Sequence, residues 1–330
     1  MPSFGLVVRL QWCEAPYLNE YLAYYRKLGV NHFYLINTEP ECRSRLEAVV
    51  KGHFKTHVTI IDLPAGQKVF KAQNLALPLL KQDYVLSLDM DEFLFTHGRS
   101  LSWIVQRMPG SIYMFRWLMM PSAELYTSSI MSLINNKTGF ASHEHKVMVK
   151  CQHLEELKEH NARLKGRYGR RISFNQYRHQ PFIIHVAARG VYDVFNRLLN
   201  QRFNDGKNIK LDSVSQNDWN SPANILATIK DPQRNFDKLP ARLRVLALQC
   251  DLKDAASFKP KANHLGQTTD LKLLRQITLD SIRKLDPSLE LSNLDHFPAK
   301  LKRICQEQPA QRKQRIMNGS IGQKRLARIT

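Results

Sequence analysis

The chain has 330 residues, 43% of them hydrophobic, and carries 49 Lys and Arg against 29 Asp and Glu, a formal net charge of +20. That apolar content builds a substantial core and excludes disorder as the main state. The charge is uneven: 16 basic and 12 acidic residues in 1–150, then 33 and 17 in 151–330, so the second half attracts polyanions such as nucleic acid, anionic lipid head groups or an acidic sugar or phosphate.

Five cysteines (Cys13, Cys42, Cys151, Cys250, Cys305) are odd in number, widely spaced and without a C-x-x-C. That argues against a disulfide framework or zinc knuckle and for a reducing compartment. The first apolar run stops at Arg9, too short for a signal peptide, and no stretch approaches the roughly 20 apolar residues of a membrane span. The expectation is a cytoplasmic protein, at most peripheral to the inner face of a membrane.

In chain order, residues 6–11 read as a strand, followed by a turn at Glu14-Ala15-Pro16 and a helix from Tyr17 to Leu28 that Gly29 stops. His32 to Ile36 is a second strand, and Arg43 to Gly52 a short helix closed by glycine. Val58 to Leu63 is a third strand, Val69 to Lys81 has helical spacing, and Tyr84 to Leu88 is a fourth strand ending in Asp89-Met90-Asp91-Glu92. Strand and helix alternating four times in this way predict a doubly wound α/β sheet whose ligands sit beyond the carboxyl ends of its strands. Later strands are predicted at Ser111–Leu118, Lys146–Lys150 and Phe182–Ala187, with a charged, exposed helix and loop over Glu155–Arg178 between them. From Val191 the spacing is helical, with further helices at Leu239–Leu252 and Leu271–Leu285. The last 34 residues hold nine Lys or Arg and one Glu and read as a basic, partly ordered tail. The predicted division is 1–190 for the binding and catalytic domain and 191–330 for a helical, basic C-terminal region.

Asp89-x-Asp91 at the end of a buried strand is the feature with most chemical content. Residues two apart in an extended chain point the same way, so both carboxylates would enter one crevice, where hard oxygen donors suit Mg²⁺ or Mn²⁺ held with a diphosphate.

The first 95 residues resemble the nucleotide-sugar-binding half of the glycosyltransferase family 2-like group, close to the family 92 type. Its segment N-E-A-P-Y-L-x-E-W-x-A-Y-H-x-x-L-G-V-D-H-F-Y is matched by Cys13 through Tyr34, CEAPYLNEYLAYYRKLGVNHFY, and its D-x-D-E-F-L by Asp89 to Leu94. Gln73-Asn74-Leu75-Ala76 echoes the group's Q-x-x-A-x-N loosely. The chain departs from the group at Cys13 (Asn), Tyr25 (His), Ile36-Asn37 (Asp-Asn) and Met119-Met120 after Arg116-Trp117 (F-G). Tyr25 is expected only to pack.

The resemblance implies a GT-A fold and metal-dependent transfer of a sugar from a nucleoside diphosphate, a UDP-sugar by expectation, to a glycan or lipid-linked glycan, with inversion. It implies Mn²⁺ or Mg²⁺ on Asp91, Asp89 near the ribose or the metal's water, Glu92 orienting the loop, and Glu14 and Asn37 near the nucleotide. His185, an ionisable residue within the apolar run FIIHVA, is the candidate third ligand, while His143, His145 and His179 are pocket-lining candidates. An inverting transferase needs a base for the acceptor hydroxyl. Glu124 and Glu144 are the only acids between Glu92 and Glu155, and Asp193 is a third candidate. Two other readings remain open: a basic nucleic-acid-binding protein, disfavoured because no aromatic residues interleave the runs Lys165–Arg171 and Arg312–Arg328, and a sugar-nucleotide-binding protein that has lost transfer.

Overall fold

The computed structural model describes residues 1–119, 138–166, 169–174, 180–186, 270–285 and 326–328. The first strand, β1 (Phe4–Leu10), is buried along its length except at Arg9, the near-continuous apolar run of a parallel strand covered on both faces. A 3-10 turn (Trp12–Tyr17) leads into helix α1 (Leu18–Leu28). Gly29 closes that helix at φ 107°, a left-handed conformation open to glycine, with its N–H on Arg26 O. Strand β2 (His32–Asn37), helix α2 (Arg43–Val49), β3 (Val58–Asp62) and β4 (Tyr84–Asp89) follow.

Then come β5 (Glu92–Phe95), α3 (Leu101–Arg107), β6 (Ile112–Met119), β7 (Thr138–Lys150), β8 (Leu154–Leu157), β9 (Ala162–Leu164), β10 (Arg171–Phe174) and β11 (Phe182–His185). Helix α4 (Leu271–Leu285) and a short β12 (Leu326–Arg328) complete the described elements. The main sheet runs β3-β2-β1-β4-β7-β6-β11-β5, with β10 also on β6 and β12 also on β7. β1 to β4 are mutually parallel, and the antiparallel β7 joins β4 to β6. This is a mixed α/β fold built on one large, mostly parallel sheet, the class the alternation of strand and helix predicts.

Alternation along the strands divides the core in two. Phe4, Leu6, Val8 and Leu10 of β1, with Phe33 and Leu35 of β2, face α1 and α3, while Val7, Tyr34 and Ile36 face the other way. Leu274, Leu279 and Ile282 of α4 join the first of these clusters, and Asp270 N–H bonds to Pro16 O at 2.9 Å.

Four expectations are corrected. The second helix ends at Val49, with Val50 extended, and Gly52 opens a separate 3-10 turn, so the glycine belongs to the next element. The stretch 69–81 is 3-10 rather than α, ending at Leu79, with Pro78 removing a donor from its last turn. The strand expected at Lys146 begins at Thr138. The described residues of the charged stretch 155–178 form a hairpin (β8 with β9) and β10 rather than a helix. Its burial rests on widely spaced residues, Leu154, Leu157, Ala162 and Phe174, too sparse to form a recognisable period beside so much charge. The boundary at 190/191 and the helix over 239–252 lie outside the described residues, as does most of the tail.

Tyr25 does more than pack. Three tyrosines of α1 at i, i+3 and i+4 hold the backbone that follows β4: Tyr21 Oη donates to Asp89 O (3.2 Å), Tyr24 Oη to Leu94 O (2.9 Å) and Tyr25 Oη to Glu92 O (2.8 Å), while Tyr25 Oη also accepts from Leu94 N (3.0 Å). Tyr25→Phe leaves a buried N–H and a buried carbonyl unsatisfied and is expected to cost about 1–3 kcal/mol in chemical denaturation.

Candidate active site

Arg9 and Asp89 are register partners near the carboxyl ends of two parallel strands. The register puts their side chains side by side on one face. Arg9 Nε and Nη2 donate to Asp89 Oδ1 at 2.9 and 2.7 Å, and Lys146 Nζ of β7 donates to Asp89 Oδ2 at 2.7 Å. Burial alone would raise the Asp89 pKa, but Lys146 and then Arg9 outweigh it and hold it at about 2. Glu92, at the start of β5, accepts the Asp89 N–H on Oε2 at 2.8 Å, and its Oε1 lies 3.5 Å from Lys146 Nζ. Full burial pushes the Glu92 carboxyl well above its usual range, with Lys146 opposing.

His185 is the last residue of β11 and pairs in register with Glu92 on one side and Met119 on the other. Its Nε2 lies 3.1 Å from Asp91 Oδ2, and Val186 N–H bonds to Asp91 O at 2.8 Å. Asp91, Glu92 and His185 each present a donor atom within 4.8 Å of the others. Two carboxylates and an imidazole in one mostly buried group suit a divalent cation. The His185 ring packs on Trp117 at 4.3 Å, and Lys146 Nζ sits 5.7 Å from the same indole.

No family model matches the chain, and neither does any curated protein. Among solved structures it is similar to HddC from Yersinia pseudotuberculosis at 10% identity and a TM-score of 0.37, over 56% of this chain and 93% of that one. HddC complexed with GMP-PN gives 10%, 0.36, 57% and 95%. Residues 1–349 of TarS from S. aureus give 12% identity and a TM-score of 0.33 over 87% of this chain and 90% of that one. Likeness at this level assigns neither substrate nor chemistry.

The residues named from sequence are only partly brought together. Asp91 and His185 meet. Asp89 stands beside them, but its carboxylate is held by Arg9 and Lys146, and it lies outside the three-donor group. Glu14 accepts the Gln11 N–H at 3.1 Å, capping the 3-10 turn. Asn37, fully buried at the end of β2, donates to Asp62 Oδ1 at 2.8 Å and accepts from Glu39 N at 3.1 Å, so it braces the loops after β2 and β3. His143 and Glu144 are exposed. His145 is half-buried, and burial followed by His160 lowers its pKa. Glu124, His179 and Asp193 lie outside the described residues.

Arg9, Lys146, Glu159 and His160 were not anticipated. The first could have been: Arg9 is a lone cation in an apolar strand, FGLVVRL, and a buried cation needs a counter-ion, whereas Lys146 shares its strand with Lys150 and two histidines and does not stand out. Glu159 and His160, at the tip of the β8–β9 hairpin, gave no such signal. Glu159 Oε1 lies 3.4 Å from Arg9 Nη2, and the His160 ring meets Trp117 edge-on at 5.3 Å. Asn74 fixes that hairpin by taking both backbone groups of Leu157, at 2.8 and 2.9 Å. Gln73, buried next to Arg9, can turn its amide oxygen to accept from Arg9 Nε at 3.2 Å. The loosely matched Gln73-Asn74 pair therefore braces the site from behind.

Proposed function

We propose that the chain is a metal-dependent glycosyltransferase that moves a sugar from a nucleoside diphosphate sugar, a UDP-sugar in the first instance, to a hydroxyl of a glycan or lipid-linked glycan. The observation that carries this is the meeting of Asp91 and His185 at 3.1 Å, with Glu92 beside them, at the carboxyl ends of the strands. Asp91 and His185 hold Mn²⁺ or Mg²⁺, with Glu92 positioned to join them. The ion, when bound, offsets charge building on the leaving diphosphate.

The chain's own residues supply the remaining electrostatics. Asp89 keeps Arg9 and Lys146 charged and fixed at the crevice, and Arg9 Nη1 is a buried donor with no hydrogen-bond partner among the described residues, suited to a diphosphate oxygen. Trp117 forms the wall on the acceptor side. The basic second half suits an acidic acceptor or an anionic membrane surface. No helix among the described residues is long and apolar enough to cross a membrane.

The test is a panel of UDP- and GDP-sugars offered with Mn²⁺ or with EDTA, read as thermal shift and as donor hydrolysis. A donor-specific shift lost in EDTA, with hydrolysis, is the expected result. A shift without hydrolysis favours a binding protein that has lost transfer. No shift with any donor sinks the reading.

A further inference from the structure

We infer that His160 is the general base that takes the acceptor hydroxyl proton, with Glu144 as its positioning residue; the inference rests on the function proposed above. The β8–β9 hairpin sets His160 against Trp117 at 5.3 Å and Glu159 3.4 Å from Arg9. Asn74 clamps Leu157 on one side of the turn, and Lys158 N–H closes the tip on Asn161 O at 2.8 Å. Trp117 packs against both His160 and His185, so the hairpin imidazole stands one indole away from the three-donor group.

The strands opposite are bent to meet it. Between the pairs Arg116–His145 and Leu118–Ala141 the register of β6 and β7 shifts, so that Trp117 faces a bulge holding Ser142, His143 and Glu144. Bulges of this kind re-aim side chains. Here Glu144 Oε2 comes to 3.8 Å from His160 Nδ1, which is itself buried and has no hydrogen bond. A small movement of the exposed Glu144 side chain completes that bond. It fixes the tautomer with the proton on Nδ1 and leaves Nε2 as acceptor.

In the step itself the acceptor oxygen forms a bond to the anomeric carbon of the donor while its proton passes to His160 Nε2. The bond from that carbon to the diphosphate oxygen breaks, and its electron pair leaves with the diphosphate. The imidazolium formed is stabilised by Glu144 and returns its proton to water. Around His160 the titratable and charged groups are Glu144 and His145 from β7, with Arg116 of β6 beyond His145, Glu159 from its own hairpin with Arg9 of β1 across it, and, on the same Trp117 ring, His185 of β11 and Lys146 of β7.

The test uses the full chain, Mn²⁺ and whichever UDP- or GDP-sugar gives an EDTA-sensitive thermal shift, with water as the acceptor. His160→Gln is expected to bind that donor within about threefold of the unmodified protein but to hydrolyse it about 100-fold or more slowly, the scale of a lost general base. Added imidazole should restore part of the rate to His160→Ala. Glu144→Gln, at an exposed position where folding is not at risk, should lower kcat for hydrolysis by about tenfold or more while leaving KM for the donor unmoved, because the ring loses the group that orients it. Hydrolysis by His160→Gln within threefold of normal, or an unchanged kcat in Glu144→Gln, overturns the assignment while leaving the transferase reading intact. Absence of donor binding in the unmodified protein overturns both, and a donor that binds but never reacts overturns the base.

Discussion

Asp91→Asn is expected to keep its fold and lose Mn²⁺-dependent donor binding by about 100-fold or more, since even residues that only support a metal ligand are worth roughly 10–100-fold. Asparagine retains the shape and a hydrogen-bonding oxygen for His185, and the Asp91 carbonyl that accepts from Val186 N is untouched. The melting temperature should therefore move by only a few degrees. Asp89→Asn is expected to behave in the opposite way, because its carboxylate serves Arg9 and Lys146; its main effect is on stability. Measuring donor affinity and melting temperature for the pair separates the roles, and Mn²⁺-dependent affinity preserved in Asp91→Asn would remove that residue from the metal site.

Lys146→Met is expected to cost about 3 kcal/mol or more in denaturant unfolding, because it leaves Glu92 buried without its cation and Asp89 with Arg9 alone. Lys146 is 2% exposed, with Asp89 at 2.7 Å and Glu92 at 3.5 Å. The pH dependence carries a signature. Asp89 in the native state is depressed to about 2, below the roughly 3.9 of an unfolded aspartate. Its ionised form contributes stability that is fully present above the unfolded value and is lost as pH falls through the native one. Losing Lys146 raises the native pKa towards the unfolded one, so this contribution shrinks at neutral pH and the acid decline between about pH 4 and 2 flattens. A Lys146→Met protein as stable as the parent and with the same acid profile would show that Arg9 alone suffices.

The fold of the first 95 residues was legible because its signals are local. Apolar runs of four to seven residues mark β1, β2 and β4, Gly29 marks the end of α1, and the carboxylates fall at a strand end. Legibility failed where pairing is remote. Nothing in the sequence shows that Asp89 is held by Arg9 on β1 and Lys146 on β7 while Asp91 meets an imidazole on β11. Lys146 and His185 are separated from them by 57 and 94 residues. The 155–178 segment misled because charge reports exposure of side chains and says little about backbone pairing, so a hairpin pinned by two bonds from Asn74 read as a solvated helix and loop. The placement of Asn37 likewise depended on Asp62 at the end of the neighbouring strand.

β5 follows β4 at once in sequence yet is the terminal strand of the sheet, with three strands between it and β4 in the pairing order, and among the described residues it pairs with β11 alone. During synthesis at about 5–20 residues per second, the segment bearing Asp91 and Glu92 leaves the ribosome several seconds before β11, the strand it pairs with. Through that interval Tyr24 and Tyr25 of α1 are the groups already made that can satisfy its backbone. The parallel core β1–β4 can consolidate early, whereas the carboxylate and imidazole come together only when β11 docks. Cooperative loss of β11 would then disassemble the site while sparing the β1–β4 core, and hydrogen exchange at Val186, whose N–H bonds to Asp91 O, would open ahead of exchange at Val7 and Leu86.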